Sequence, residues 1–189
     1  DLVRSRGLGD VYKRQLVDGK VGILCEIKGI NPFDHRIVRE TIKVLDEVGY
    51  KGNIALQSFD FGAVLYAKRH SNYACGELCT WCSPDGKHNR WWATDFMGKL
   101  WINKITRPDF IAYDVRAVDR NLPENKWIVK WSKKLPILMW TIKSQETLEN
   151  ATKYANNVIF EHMDAALMDS LARKFMPFRC LEKNLPSNK

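Results

Sequence analysis

The sequence lacks any uninterrupted apolar run near the roughly 20 residues that a membrane-crossing helix requires, so it does not predict a helical membrane protein. It has no low-complexity segment and no repeat at the level of sequence, which leaves an ordinary globular chain. No dense basic helix or known nucleic-acid module occurs, so a formal charge of +8 does not by itself predict a nucleic-acid partner. Histidine is scarce, at four residues. Cysteine is also sparse, and five is an odd number, which points to a reducing, cytoplasmic compartment rather than a disulfide framework.

What is present begins with an anomaly. Residues 5–15, SRGLGDVYKRQ, read as the in-frame translation of a transposase adapter from a sequencing library, ending GAT GTG TAT AAG AGA CAG over Asp10 to Gln15. Residues 1–15 are therefore set apart from the folded chain, and the natural protein is expected to start upstream. They carry +2 of the charge, from Arg4, Arg6, Lys13 and Arg14 against Asp1 and Asp10, leaving +6. The remaining lysines and arginines are interleaved with acids, as in residues 126–134. That pattern describes a solvated surface with some attraction for anionic phosphodiesters. Residues 176–189 form a polar tail.

Apolar content is 45%, the usual value for a globular domain. Strand-like runs occur at 21–28, 53–60, 77–82, 110–115, 137–142 and 158–161. Between the first two, Ile37, Val38, Thr41, Ile42, Leu45 and Val48 fall at helical spacing, with Asp34 as the expected cap and Gly49 as the terminator. Further helices are predicted at 62–70, 90–103, 124–133, 145–154 and 165–175. Alternation of strand and helix predicts an α/β fold with a parallel sheet.

The motif richest in chemistry is Cys25-Glu26-Ile27-Lys28-Gly29, at the end of the first apolar run. Side chains two apart on a strand share a face, so Glu26 and Lys28 project together while Cys25 and Ile27 face the other way. A carboxylate and an ammonium at a strand's carboxyl end, followed by glycine, suit the active rim of an α/β barrel. A surface ion pair is the plainer reading. Further along lie Gln57-Ser58-Phe59-Asp60, then Pro108 to Asp114, then Pro136 to Ile142 with Trp140 and Thr141, then Asn157 to Glu161. Taken together as EIK, QSF, PDFIAYD, PILMWTI and NVIFE, residues 21–171 resemble the glycerophosphodiester phosphodiesterase family.

That resemblance implies a partial (β/α)₈ TIM barrel spanning residues 16–175, with about six of eight βα units. The 174 residues beyond the adapter-like segment compare with about 250 for a complete barrel. It implies hydrolysis of a small glycerophosphodiester to glycerol 3-phosphate and an alcohol, with a divalent cation, Ca²⁺ or Mg²⁺. Glu26 then corresponds to a metal ligand, and Lys28 to the catalytic charge beside the phosphate. Ser58 and Phe59 correspond to residues bordering the pocket, and Trp140 to one facing the glycerol. Glu161 stands where relatives carry Thr-Asp and receives no role. The family's opening HRG strand and its two histidines have no match here, and His35, His70, His88 and His162 do not replace them. The intact protein is thus expected to be an enzyme and the chain as written to be inactive.

Two other classes compete. Cys75, Cys79 and Cys82 follow C-x₃-C-x₂-C and resemble the cluster motif of radical S-adenosylmethionine enzymes, in which three thiolates hold a [4Fe–4S] cluster. Zinc, with His88 as fourth ligand, is a further use of that trio, and plain buried or surface thiols are the simplest. A catalytically silent barrel that only binds is the other class. The stretch 81–101, with Trp91, Trp92 and Met97, predicts a lid, an interface or an amphipathic packing helix. An incomplete barrel also predicts two open strand edges and hence poor solubility.

Overall fold

The computed structural model describes residues 21–29, 31–80, 96, 98–119, 125–162 and 164–175. The adapter-like segment, the polar tail, Cys82, His88, Trp91, Trp92, Met97 and Cys180 lie outside the described residues. Strands and helices alternate in an α/β arrangement. In chain order they are β1 (Ile23–Glu26), α1 (Arg36–Val48), β2 (Ile54–Ser58), α2 (Phe61–His70), β3 (Ala74–Cys79), α3 (Asn103–Thr106), β4 (Phe110–Asp114), α4 (Val115–Asp119), α5 (Asn125–Ser132), β5 (Ile137–Ile142), α6 (Gln145–Ala151), β6 (Asn157–Phe160) and α7 (Ala165–Phe175). The described residues divide into two compact units, those up to 77 with 105–108, and those of 78–104 with those from 109 onward.

In the first unit β1 pairs with β2 and β2 with β3, both in parallel. One face carries the core: Ile27, Leu56 and Cys75 from the strand side pack with Val38 and Ile42 of α1 and Ala63, Val64 and Ala67 of α2. Helix α1 ends as the sequence predicts, with Gly49 in the left-handed region at φ 57°. Its start differs. The N-cap position is His35, whose side chain makes no capping bond; Asp34, one residue earlier, accepts from both the Arg36 amide (3.1 Å) and the Arg36 guanidinium (Oδ2 to Nη2, 2.6 Å). That pairing holds the Asp34 carboxyl at about 2, below its ordinary value.

In the second unit β4, β5 and β6 pair in parallel in chain order. Ile111, Tyr113, Ile137 and Met139 share one face and build the core with Val115, Val118, Ile128, Leu148 and Phe175. Helix α6 opens on a capping box in which Ser144 and Thr147 exchange bonds. Lysines of the basic stretch do more than solvate the surface: Lys126 and Lys130 lie over Trp127, and Lys134 over Trp131, at 5.5–5.7 Å from the ring centres.

The third strand is where the sequence expectation is overturned. It runs over Ala74–Cys79, three residues earlier than the predicted 77–82. Pairing of Ala74 with Ala55 and Cys75 with Leu56 carries the ladder through Gly76. Strand β1 stops at Glu26 rather than at residue 28, although the Ile27 amide still donates to the Gln57 carbonyl at 2.8 Å. The predicted strand at 110–115 ends at Asp114, because Val115 opens the short helix α4. Most of the predicted helix at 90–103 lies outside the described residues, and α3 begins only at Asn103.

Candidate functional site

Glu26 is the last residue of β1, and Lys28 follows two residues later. Their side chains meet, Lys28 Nζ donating to Glu26 Oε1 at 2.9 Å, with the lysine 81% and the glutamate 34% exposed. Ile27 between them is buried in the opposite direction, against α1 and α2. Period-two geometry at a strand end therefore separates a charged side from an apolar one. The pair's own attraction is small at such exposure. Its chemical value lies in the second glutamate oxygen and the remaining ammonium protons, which can face a ligand.

The segment bearing this pair is clamped from beneath. The Ser58 hydroxyl donates to the Ile27 carbonyl at 2.5 Å and accepts from the Asp60 amide at 3.0 Å. Asp60 is the N-cap of α2, its Oδ1 accepting from the Gly62 and Ala63 amides at 2.9 and 3.3 Å. The same carboxylate lies so close to Gly29 that a Cβ there would sit 2.2 Å from Oδ2. Gly62 is equally constrained, since a Cβ on it would lie 1.9 Å from the Pro32 carbonyl oxygen. Glycines at 29 and 62 are what allow the chain after β1 to lie over the start of α2.

This places the QSF residues differently from one another. Ser58 is buried and its hydroxyl is occupied within the chain, whereas Phe59 is 43% exposed. Gln57, to which sequence analysis gave no role, is the register partner of Glu26 on the neighbouring strand. It is only 7% exposed, and its Oε1 carries no hydrogen bond.

Glu77 also escaped the sequence reading, because it stood at the start of the misplaced third strand. It is fully buried, opposite Ser58 in the β2–β3 ladder. Burial pushes its carboxyl up to about 8; the Thr106 hydroxyl opposes the rise and the charge of Asp60 adds to it.

Trp140 belongs to the second unit, where it is half-buried on β5 and is the register partner of Asp114. Asp114 is completely buried at the end of β4. Its oxygens accept from Thr80 Oγ1 at 2.7 Å and from the Arg116 guanidinium, Nη2 at 2.6 Å and Nε at 3.0 Å. These bonds satisfy it as a structural anchor. Glu161 is exposed and paired with Lys143 at 2.9 Å, which holds its carboxyl below the ordinary value.

No family model and no curated protein matches this chain.

Among the described residues no group of three or more His, Cys, Asp or Glu side chains is arranged to hold a metal ion. Cys75 and Cys79 lie on β3, four residues apart in an extended segment, or about 13 Å along the strand. That spacing does not suit two thiolates of one [4Fe–4S] cluster, and Cys82 is outside the described residues. Cys25, Cys75 and Cys79 are in no disulfide. His35 and His70 both stack on Tyr66, with centroid separations of 4.8 and 4.0 Å, and serve the helix layer. No helix among the described residues is long and apolar enough to cross a membrane.

Proposed function

We propose that this chain carries the cation- and phosphate-binding part of a glycerophosphodiester phosphodiesterase built on a partial (β/α)₈ barrel. The observation that carries the reading is the Glu26–Lys28 pair, an acid and a base held 2.9 Å apart on one side of a strand end, above a clamped turn. Parallel strands paired in chain order within each unit and alternating with helices are the local pattern from which such barrels are made.

The fit to a divalent cation rests on oxygen chemistry. Glu26 offers a carboxylate oxygen beyond the one bonded to Lys28. Hard cations take such donors. A bound Ca²⁺ or Mg²⁺ supplies electrophilic polarisation of a phosphoryl oxygen. Lys28 places a fixed positive charge where the equatorial phosphoryl oxygens gain negative charge, and Glu26 orients the lysine through their shared bond. Phe59, exposed just after β2, offers an apolar surface to the glycerol carbons. Ser58 acts through its place in the clamp.

With His35 and His70 engaged on Tyr66, binding is a better readout than turnover. Calorimetric titration of the chain with glycerol 3-phosphate in the presence of calcium is expected to show saturable binding. Lys28→Ala should weaken it by about tenfold, the worth of a hydrogen bond to a charged group. Equal binding by wild type and Lys28→Ala would remove the basis of the assignment.

A further inference from the structure

The second unit carries lysines that the sequence reading treated as part of a mixed charged surface. Residues 125–135 in fact hold four lysines and no Asp or Glu, and residues 98–104 add Lys99 and Lys104, again without an acid. The two segments meet where the Trp101 ring stands edge-on to Trp127, with 6.1 Å between centroids. Elsewhere on the chain exposed lysines pair with carboxylates, as Lys43 with Glu47 and Lys143 with Glu161. Among the described residues none of Lys126, Lys130, Lys133 and Lys134 forms an ion pair. Three of them lie over indole rings instead, Lys126 and Lys130 over Trp127 and Lys134 over Trp131.

Helix α5 is graded around its axis. Ile128 is fully buried in the core, Trp127 and Trp131 pack beside it half-buried, and Lys126 and Lys130, one turn apart, are exposed. Trp101, against Trp127, is 45% exposed. Indole rings with ammonium groups at their margins suit the level of lipid headgroups, where the ring meets the apolar layer and the ammonium meets phosphate. We propose that this surface docks on a bilayer bearing anionic phospholipid, with the lysines on headgroup phosphates and Trp101 at the headgroup boundary. Single-stranded nucleic acid fits less well. Its bases need open ring faces to stack on, and here the rings of Trp101, Trp127 and Trp131 already carry ammonium groups.

Every residue of this surface belongs to the second unit, so the docking is independent of the Glu26–Lys28 strand end. Attraction to an anionic surface amounts to about fivefold in affinity per lysine, and salt screens it. Half-buried rings have little further area to lose to the bilayer, so charge dominates and anionic lipid is required.

Flotation of the full chain with vesicles through a density gradient tests this, because self-associated protein sinks while vesicle-bound protein rises. The chain should float with phosphatidylcholine vesicles containing about 30% phosphatidylserine at about 0.1 M salt, and should stay behind with phosphatidylcholine alone or at about 0.5 M salt. Lys126→Gln with Lys130→Gln should weaken partitioning by about 25-fold, while Lys126→Arg with Lys130→Arg should keep it. Lys43→Gln with Lys51→Gln, an equal loss of charge in the first unit, should change it by less than about threefold. Equal losses from the two glutamine pairs would assign the attraction to net charge and overturn the docking surface. Flotation indifferent to anionic lipid, or no flotation under any of these conditions, would overturn it as well. Retention of a single-stranded oligonucleotide by a chain that ignores vesicles would give the surface to nucleic acid instead.

Discussion

Glu77 shows what one buried group does to the whole chain's response to pH. Its carboxyl titrates near 8 in the folded state against 4.5 in the open chain, so the folded form holds the proton more tightly. Stability from this group is complete below pH 4.5 and is lost as pH rises towards 8. Glu77→Gln, which keeps the shape and removes the charge, should flatten that decline and stabilise the protein at pH 9 by on the order of a few kcal/mol. Urea midpoints of both proteins across pH 5–9 check this; parallel curves would contradict it. Nothing local in the sequence announced Glu77, since its burial depends on pairing with Ser58 across the ladder. The shared face of Glu26 and Lys28, by contrast, was legible, because strand periodicity alone fixes it.

At the scale of elements, the joint between β1 and α2 is the most constrained place in the first unit. Gly29→Ala would put a methyl carbon 2.2 Å from Asp60 Oδ2 and 2.8 Å from its Cβ, on a side chain already held by two capping bonds. Overpacking of this kind should cost about 1–3 kcal/mol. Asp60→Ala alone loses the cap, worth about 1 kcal/mol. Because both changes act on one contact, the double variant should be less destabilised than the sum of the two, by a coupling of roughly 1 kcal/mol. Strict additivity in a double-mutant cycle would show that Gly29 and Asp60 do not touch. Helices α1 and α7 were legible from apolar spacing, α7 to the residue. The cap of α1 was not, because Asp34 lies one residue before the N-cap, bonded to the amide and the guanidinium of Arg36. The third strand was misplaced for a tertiary reason: its register is set by β2.

On the scale of the whole molecule, among the described residues β1 is paired on one side by β2, and β6 on one side by β5. Exposed apolar side chains accompany these strands: Val21 and Leu24 at the first, Phe160 at the last. Unsheathed edges of that composition template association. Light scattering after size exclusion should therefore show concentration-dependent oligomers at micromolar protein, which a sharp monomer peak throughout would contradict. The α/β class was legible from alternation alone, while the division into two compact units was not, since neither composition nor spacing changes at residue 77.

The role proposed for the Glu26–Lys28 strand end is to receive a cation and a phosphoryl group. A crystal structure of the chain with calcium and glycerol 3-phosphate tests it most directly. The predicted result is a cation about 2.3–2.6 Å from a Glu26 oxygen with the phosphate against Lys28 Nζ. Both ligands bound elsewhere, with the Glu26–Lys28 contact unchanged and facing only solvent, would contradict it.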